Sequence, residues 1–394
     1  TNTCSQTITV DDTLAPVISA CATNRILSAN GSCQATLADL TGEVVAGDGC
    51  GGTLTVVQSP AAGTLVGLGA TVVTLRVDDG RGNTNSCTAT VTVNSGGSLP
   101  VVYVDDNYRN LATGTAVNFP ANGAAGPHTI GCDAFATIQA GVSAVAASGS
   151  VNVANGLYQE SNIAIARPMT IAGESQGGVV LAPAAADSKE NTGFGGTYQY
   201  GFLLRSGSVV IRDMTVDGAA NPGLPAGAHN FRGAVMTDDR AGVLMNSITV
   251  QNVTVRHTYR RGIQLYSNMP TKSTGQVVAG NTVSDVTKGP GIAVYDGDAT
   301  ITGNSVSDIP DGTGLQVVQN HVPDMIAVIQ GNAITNVNIG IQTVKSAAGS
   351  MIGGSSPADG NSIALSGVPS GDYCNIGIIV RNTAGAVTVE SNQI

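Results

Sequence analysis

Residues 281–318 read NTVSDVTKGPGIAVYDGDATITGNSVSDIPDGTGLQVV. One pattern occurs twice in this stretch: Asn281 opens a short apolar-alternating run and Gly291 another, then Asn304 and Gly314 do the same. The pattern extends both ways. Glycine-led pentads GIQLY, GIAVY, GLQVV, GIQTV and GIIVR begin at Gly262, Gly291, Gly314, Gly340 and Gly377, and asparagine-led runs begin at Asn252, Asn281, Asn304, Asn332 and Asn361. Successive asparagines are 29, 23, 28 and 29 residues apart. Repeats of that length, made of short strands and turns, predict a β-solenoid. Alternate residues of each pentad point inward, for example Ile263 with Leu265 and Ile292 with Val294, and stack into apolar columns about 4.8 Å apart. The leading Asn suits a left-handed corner and a ladder of identical amides.

Composition agrees. Gly contributes 52 of 394 residues, charged residues only 11%, and Trp is absent, while 42% hydrophobic residues exclude general disorder. Small and β-branched residues broken by Gly, Asn and Asp predict an all-β chain. A net charge of −10 argues against nucleic acid and anionic membrane as partners. No apolar stretch is long enough to span a membrane. Neither an initiator Met nor a signal peptide is present, so the reading expects a processed or excised chain.

The amino-terminal part has a different rhythm. From Asp11 to Asn94, runs such as APVISA, QATLADL, GTLTVVQS and TVVTLRVDD follow at intervals of about ten residues, as in a β-sandwich. Five of seven cysteines (Cys4, Cys21, Cys33, Cys50, Cys87) precede residue 90, the density of a disulfide-stapled module in an oxidising, extracellular compartment. No CxxC pair occurs and His is too scarce for a zinc site, so metal ligation through these residues is not expected. Cys21, Cys33, Cys50 and Cys87 are expected to pair within the module; three connectivities are open, of which Cys21–Cys87 would join first strand to last. The combination LAPVISAC, GSCQATL, GDGC and TLRVDDGRGNTNSCTATVTV resembles a hyalin repeat (HYR), an immunoglobulin-like extracellular module, over residues 11–94. That resemblance implies a spacer or adhesive element. The pairs Asp11–Asp12 and Asp78–Asp79 are calcium candidates, although Asp and Gly also favour turns for local reasons. No other cofactor is expected.

After GGSLP (96–100), CDAFATIQAGVSAVAASGSVNVANGLYQESNIAIARPMTIAGES resembles the start of right-handed parallel β-helices of the pectin-lyase-like class. The resemblance implies a short helix closing the solenoid; Phe135, Ile138, Val142 and Val145 fall at helical spacing. The expected fold is therefore an immunoglobulin-like β-sandwich over 11–95, then a right-handed parallel β-helix over 101–394, uncapped at its carboxyl end. Residues 1–10 read as a terminal strand of another such module, because TNTCSQTITV nearly repeats TNSCTATVTV from Thr84.

Function is less explicit. Outward columns are mostly neutral: Gln264, Ala293, Gln316, Gln342, Ile379, and then Tyr266, Tyr295, Val318, Val344, Arg381. The pentad register places Asp238 in the column of Asp296, about two coils away, a spacing near the upper edge for an inverting glycosidase. Asp238, Asp239, Asp296 and Arg261 are thus weak catalytic candidates, with Tyr266 and Tyr295 as a sugar platform. His257 is close by; His128, His229 and His321 lie in loop-like stretches without metal-ligand spacing. The reading favours an extracellular structural or adhesive filament component, its copies joined head to tail. Cys4, Cys132 and Cys374 would then be available for intermolecular bonds, since Cys132 and Cys374 are too many coils apart to meet. The alternative is a secreted polysaccharide lyase, inverting glycoside hydrolase or sugar-binding protein.

Overall fold

The computed structural model describes residues 3–30, 32–94, 99–186, 198–225, 227–238, 241–322, 324–366, 375–381, 383 and 385–394. Asp239, Cys374 and residues 96–98 of the expected linker lie outside these. The chain forms two compact units.

The first unit is a β-sandwich. Strands β1 (Val17–Ala20), β2 (Arg25–Ser28), β3 (Gln34–Thr36), β4 (Val45–Gly47), β5 (Thr55–Ser59), β6 (Leu65–Gly67), β7 (Gly69–Asp78) and β8 (Thr84–Asn94) follow in order. One sheet runs β2-β8-β7-β5, and β1–β4 and β3–β6 are antiparallel pairs. Alternation in β7 and β8 sends Val73, Leu75, Ala89, Val91 and Val93 into a core shared with Leu37 and Leu40. Cys21 and Cys87 are disulfide-bonded. Cys33 departs from expectation: its partner is Cys132, at a Cα separation of 5.7 Å, and Cys50 is an exposed free thiol. The reason is that Thr129–Cys132, distant in sequence, belongs to this unit, as does Leu111–Ala116. Cys132 is therefore not available for an intermolecular bond, and Cys4 is free and exposed.

The second unit is a right-handed parallel β-helix, the hand that parallel crossovers take. Each coil contributes strands to three faces. On the first face Val102, Val151 and Ile171 stack, and on the second Val216, Val255, Val283, Val306, Ile334 and Ile363. On the third, Val235, Ile263, Ile292, Leu315, Ile341 and Ile378 form the column foreseen in the pentads. The unit's only α-helix among the described residues, α1 (Ile138–Ala144), buries Ile138, Gly141, Val142 and Ala144. An added Cβ at Gly141 would stand 2.6 Å from Val104, so the helix lies directly on the first coil. Phe135 and Val145 flank α1 in strands rather than extending its face. Thr137 caps the helix, and Glu160 accepts from the amides of Ile138 and Gln139 at 2.7 and 2.9 Å.

The asparagine ladder exists with one change of register. Asn281, Asn304, Asn332 and Asn361 each pass a side-chain hydrogen bond to the asparagine of the next coil at 2.8–2.9 Å, and Asn392 accepts the last of the four. The left-handed residue is the one before: Gly280, Gly303 and Gly331, with Asp213 and Asn252 in the same slot of earlier coils. Asn252 thus belongs to the corner column, and the ladder begins at Asn281. No helix among the described residues is long and apolar enough to cross a membrane.

Candidate functional site

The third face carries the residues singled out from sequence. Its register places Gln264, Ala293, Gln316 and Gln342 in one outward column and Tyr266, Tyr295, Val318 and Val344 in the next. The Tyr266 and Tyr295 rings meet edge to face, their centroids 6.0 Å apart. The Tyr295 hydroxyl donates to Gln316 at 2.6 Å, and Gln316 donates onward to Gln342 at 2.6 Å. Burial pushes the Tyr295 hydroxyl above its usual range, with Arg261 pulling in the opposite direction.

Two predicted carboxylates do not face each other across this surface. Val235 pairs with Ile263, so Asp238 falls in the column of Tyr266, one place from the expected register. The slip arises at an irregularity between Phe231 and Gly233 that glycine alignment could not reveal. Asp238 is buried and bonded to Arg205 Nε at 3.0 Å. Asp296 is buried and accepts from the amides of Asn320 and His321 at 2.7 and 2.9 Å, and its other oxygen lies 3.0 Å from His321 Nδ1. It anchors a loop.

The stripe is instead basic. Arg261 donates to Gln264 Oε1 at 2.9 Å and to the Arg260 carbonyl at 3.0 Å. Its guanidinium crosses Gly289, where an added Cβ would stand 2.1 Å from Nη1. Burial lowers its pKa, and the positive charges of Arg260 and Arg232 lower it further. Arg232 stacks on Tyr198, 3.5 Å from the ring centroid. Among the described residues, none of Arg232, Arg260 and Arg261 has a carboxylate within ion-pair distance.

A second cluster occupies the corner between the second and third faces, and the sequence reading did not assemble it. Asp217, with its side chain 4% exposed, accepts from Arg256 Nε at 2.6 Å and His257 Nδ1 at 2.7 Å. His257 Nε2 faces Asp285 Oδ2 at 3.6 Å, and His229 Nε2 lies 2.9 Å from Asp285 Oδ1. Burial raises the Asp217 carboxyl, but the amide of Ala219 with His257 and Arg256 outweighs it, leaving the group below the ordinary range. His257 and Asp285 both adopt left-handed backbone, the corner conformation shared with Asp308 and Asn336. Their common corner slot was the available signal.

In the first unit, Asp79 accepts from the amides of Arg81 and Asn83, and Asp78 accepts from that of Gly80, so both organise a turn. Asp11 joins no ligand cluster among the described residues. Asp12 comes together with Asp48 and Cys50, and Arg81 approaches its carboxylate at 3.4 Å.

Residues 11–93 match the model of the HYR domain. Among solved structures, the chain is similar to ORF18 of Geobacillus virus E2 (12% identity, TM-score 0.38, covering 73% of this chain and 61% of that one). It is also similar to the tailspike protein gp49 of Acinetobacter baumannii bacteriophage Fri1, a capsular polysaccharide depolymerase (11% identity, TM-score 0.30, covering 62% and 44%). The chain thus spans less than two thirds of either structure. No curated protein matches. The family match is limited to residues 11–93, which are similar to the HYR domain.

Proposed function

We propose that this chain is an extracellular surface protein that binds acidic polysaccharide along the third face of its β-helix, with the HYR module as a non-enzymatic spacer. The observation that carries the reading is the stripe of Arg232, Arg260 and Arg261, without carboxylate partners among the described residues, in a chain of net charge −10. Arginines that meet amide, carbonyl and aromatic partners but no carboxylate among the described residues, near Tyr198 and Tyr295, suit a polymer bearing both carboxylates and apolar ring faces. Two disulfides and the HYR match support the compartment. Affinity electrophoresis tests this. A polyuronate in the gel should retard the protein while neutral dextran does not, and Arg232→Ala with Arg261→Ala should abolish at least tenfold of the affinity, about 1.4 kcal/mol. Equal retardation by both polymers, or by neither, would sink the proposal.

A second reading, copy-to-copy assembly, has its own observation. Ile8 and Val10 are 77% and 88% exposed in a strand-like sequence that pairs with no strand among the described residues. In this reading the segment adds to a sheet edge of a second copy. Light scattering should give a multimer for the full chain and a monomer after removal of residues 1–10; a monomer in both cases counts against it.

A further inference from the structure

The corner cluster is arranged for a ligand that the sugar-binding reading does not use. Asp217 is buried and bonded to Arg256, so it is an ionised acceptor, and the 2.7 Å contact requires His257 Nδ1 to be the donor. In the neutral imidazole, that tautomer leaves the unprotonated Nε2 3.6 Å from Asp285 Oδ2. Two acceptors then face each other. Asp285 Oδ1 is held separately by His229 Nε2 at 2.9 Å, while Oδ2 is the oxygen nearer His257 Nε2.

We propose that this gap is a binding site for a divalent transition-metal ion of the zinc type, with His257 Nε2 and Asp285 Oδ2 as its protein ligands. Bonds of about 2.0–2.2 Å at a tetrahedral angle separate two ligand atoms by roughly 3.4 Å, close to the gap present. Asp217 and His229 stand where outer partners of metal ligands stand, one orienting the imidazole and the other the carboxylate. The Asp285 side chain is 45% exposed, so the remaining coordination positions open to solvent. The residues come from successive coils, 28 residues apart between His257 and Asp285, which is why no local ligand motif announces them. The site is independent of the arginine stripe and stands or falls without it.

The test is zinc titration calorimetry on the full chain carrying Cys4→Ser and Cys50→Ser, which removes the separate Asp12–Asp48–Cys50 cluster. One ion should bind per chain with a dissociation constant on the order of 10–100 µM, as half the ligands of a structural zinc site would provide. His257→Asn, which keeps a residue tolerant of left-handed backbone, and Asp285→Asn should each weaken binding at least tenfold. Asp217→Asn removes no ligand and should still weaken it about 10- to 100-fold. In the chain without these corner substitutions, nitrogen NMR of the imidazoles should show the His257 Nε2 resonance shifting on zinc addition, a readout that needs no corner variant to fold. Absence of saturable binding up to about 1 mM zinc, undiminished binding by Asp285→Asn, or a His257 Nε2 that carries a proton and does not respond to zinc would each overturn the proposal.

Discussion

Asp217 shows how a single residue ties the corner to stability. Its carboxyl is held below the ordinary range by three donors that outweigh burial. A depressed carboxyl contributes stability above its unfolded value of about 3.9, and that contribution is lost as pH falls through the lower folded value. The urea midpoint of the native chain should therefore exceed that of Asp217→Asn most at neutral pH, and the difference should close in acid below about pH 4. A difference constant down to pH 2 would place the stabilisation elsewhere. Asp296 makes the complementary point. Its sequence context, Tyr-Asp-Gly-Asp, is as compatible with an exposed catalytic group as with a turn. Only burial and two amide donors identify it as the anchor of residues 320–322.

At the scale of elements, the strands and their stacking were legible in advance because the side-chain period and the coil period both appear in the sequence. The pentad register from Gly262 onward holds residue for residue. It fails at Gly233, where an irregular pairing adds a residue on one side. The asparagine ladder is the element whose deletion is most informative. Asn332 gives and receives bonds within the coil stack and is buried, so Asn332→Ala leaves several interior polar groups unsatisfied and should cost about 3 kcal/mol. Asn392→Ala disrupts a more exposed rung and should cost about 1 kcal/mol. Chemical denaturation of the two variants measures the difference, and equal losses would mean the ladder is not cooperative.

At the scale of the molecule, the disulfides decide how the first unit is tied. Cys33–Cys132 closes a sequence separation of 99 residues, and a loop of that size removes about 4.7 kcal/mol of unfolded-chain entropy in the simplest treatment. Peptide mapping under non-reducing conditions should recover Cys21 linked to Cys87 and Cys33 linked to Cys132, with Cys4 and Cys50 alkylated as free thiols. Recovery of Cys33 linked to Cys50 would restore the pairing within the module that the sequence reading expected. Calorimetry with a reductant should lower the transition of the first unit by on the order of 20 °C or more while leaving the β-helix transition in place, since no described cysteine of the second unit forms a disulfide.

The sequence by itself determined the fold class, the inward columns and the asparagine ladder, because each follows from periodicity, and periodicity survives in one dimension. The HYR module was equally legible, since its cysteines and turns lie close along the chain. What only the tertiary structure decided are the contacts between residues of unlike type, which no repeated residue marks along the chain. Cys33 finds Cys132, Arg261 crosses Gly289, and Asp217, His257, Asp285 and His229 converge on one corner. A β-helix makes such meetings by returning to the same corner once per coil. Residues nearly thirty positions apart become neighbours there, and their chemistry appears only when the coils are stacked.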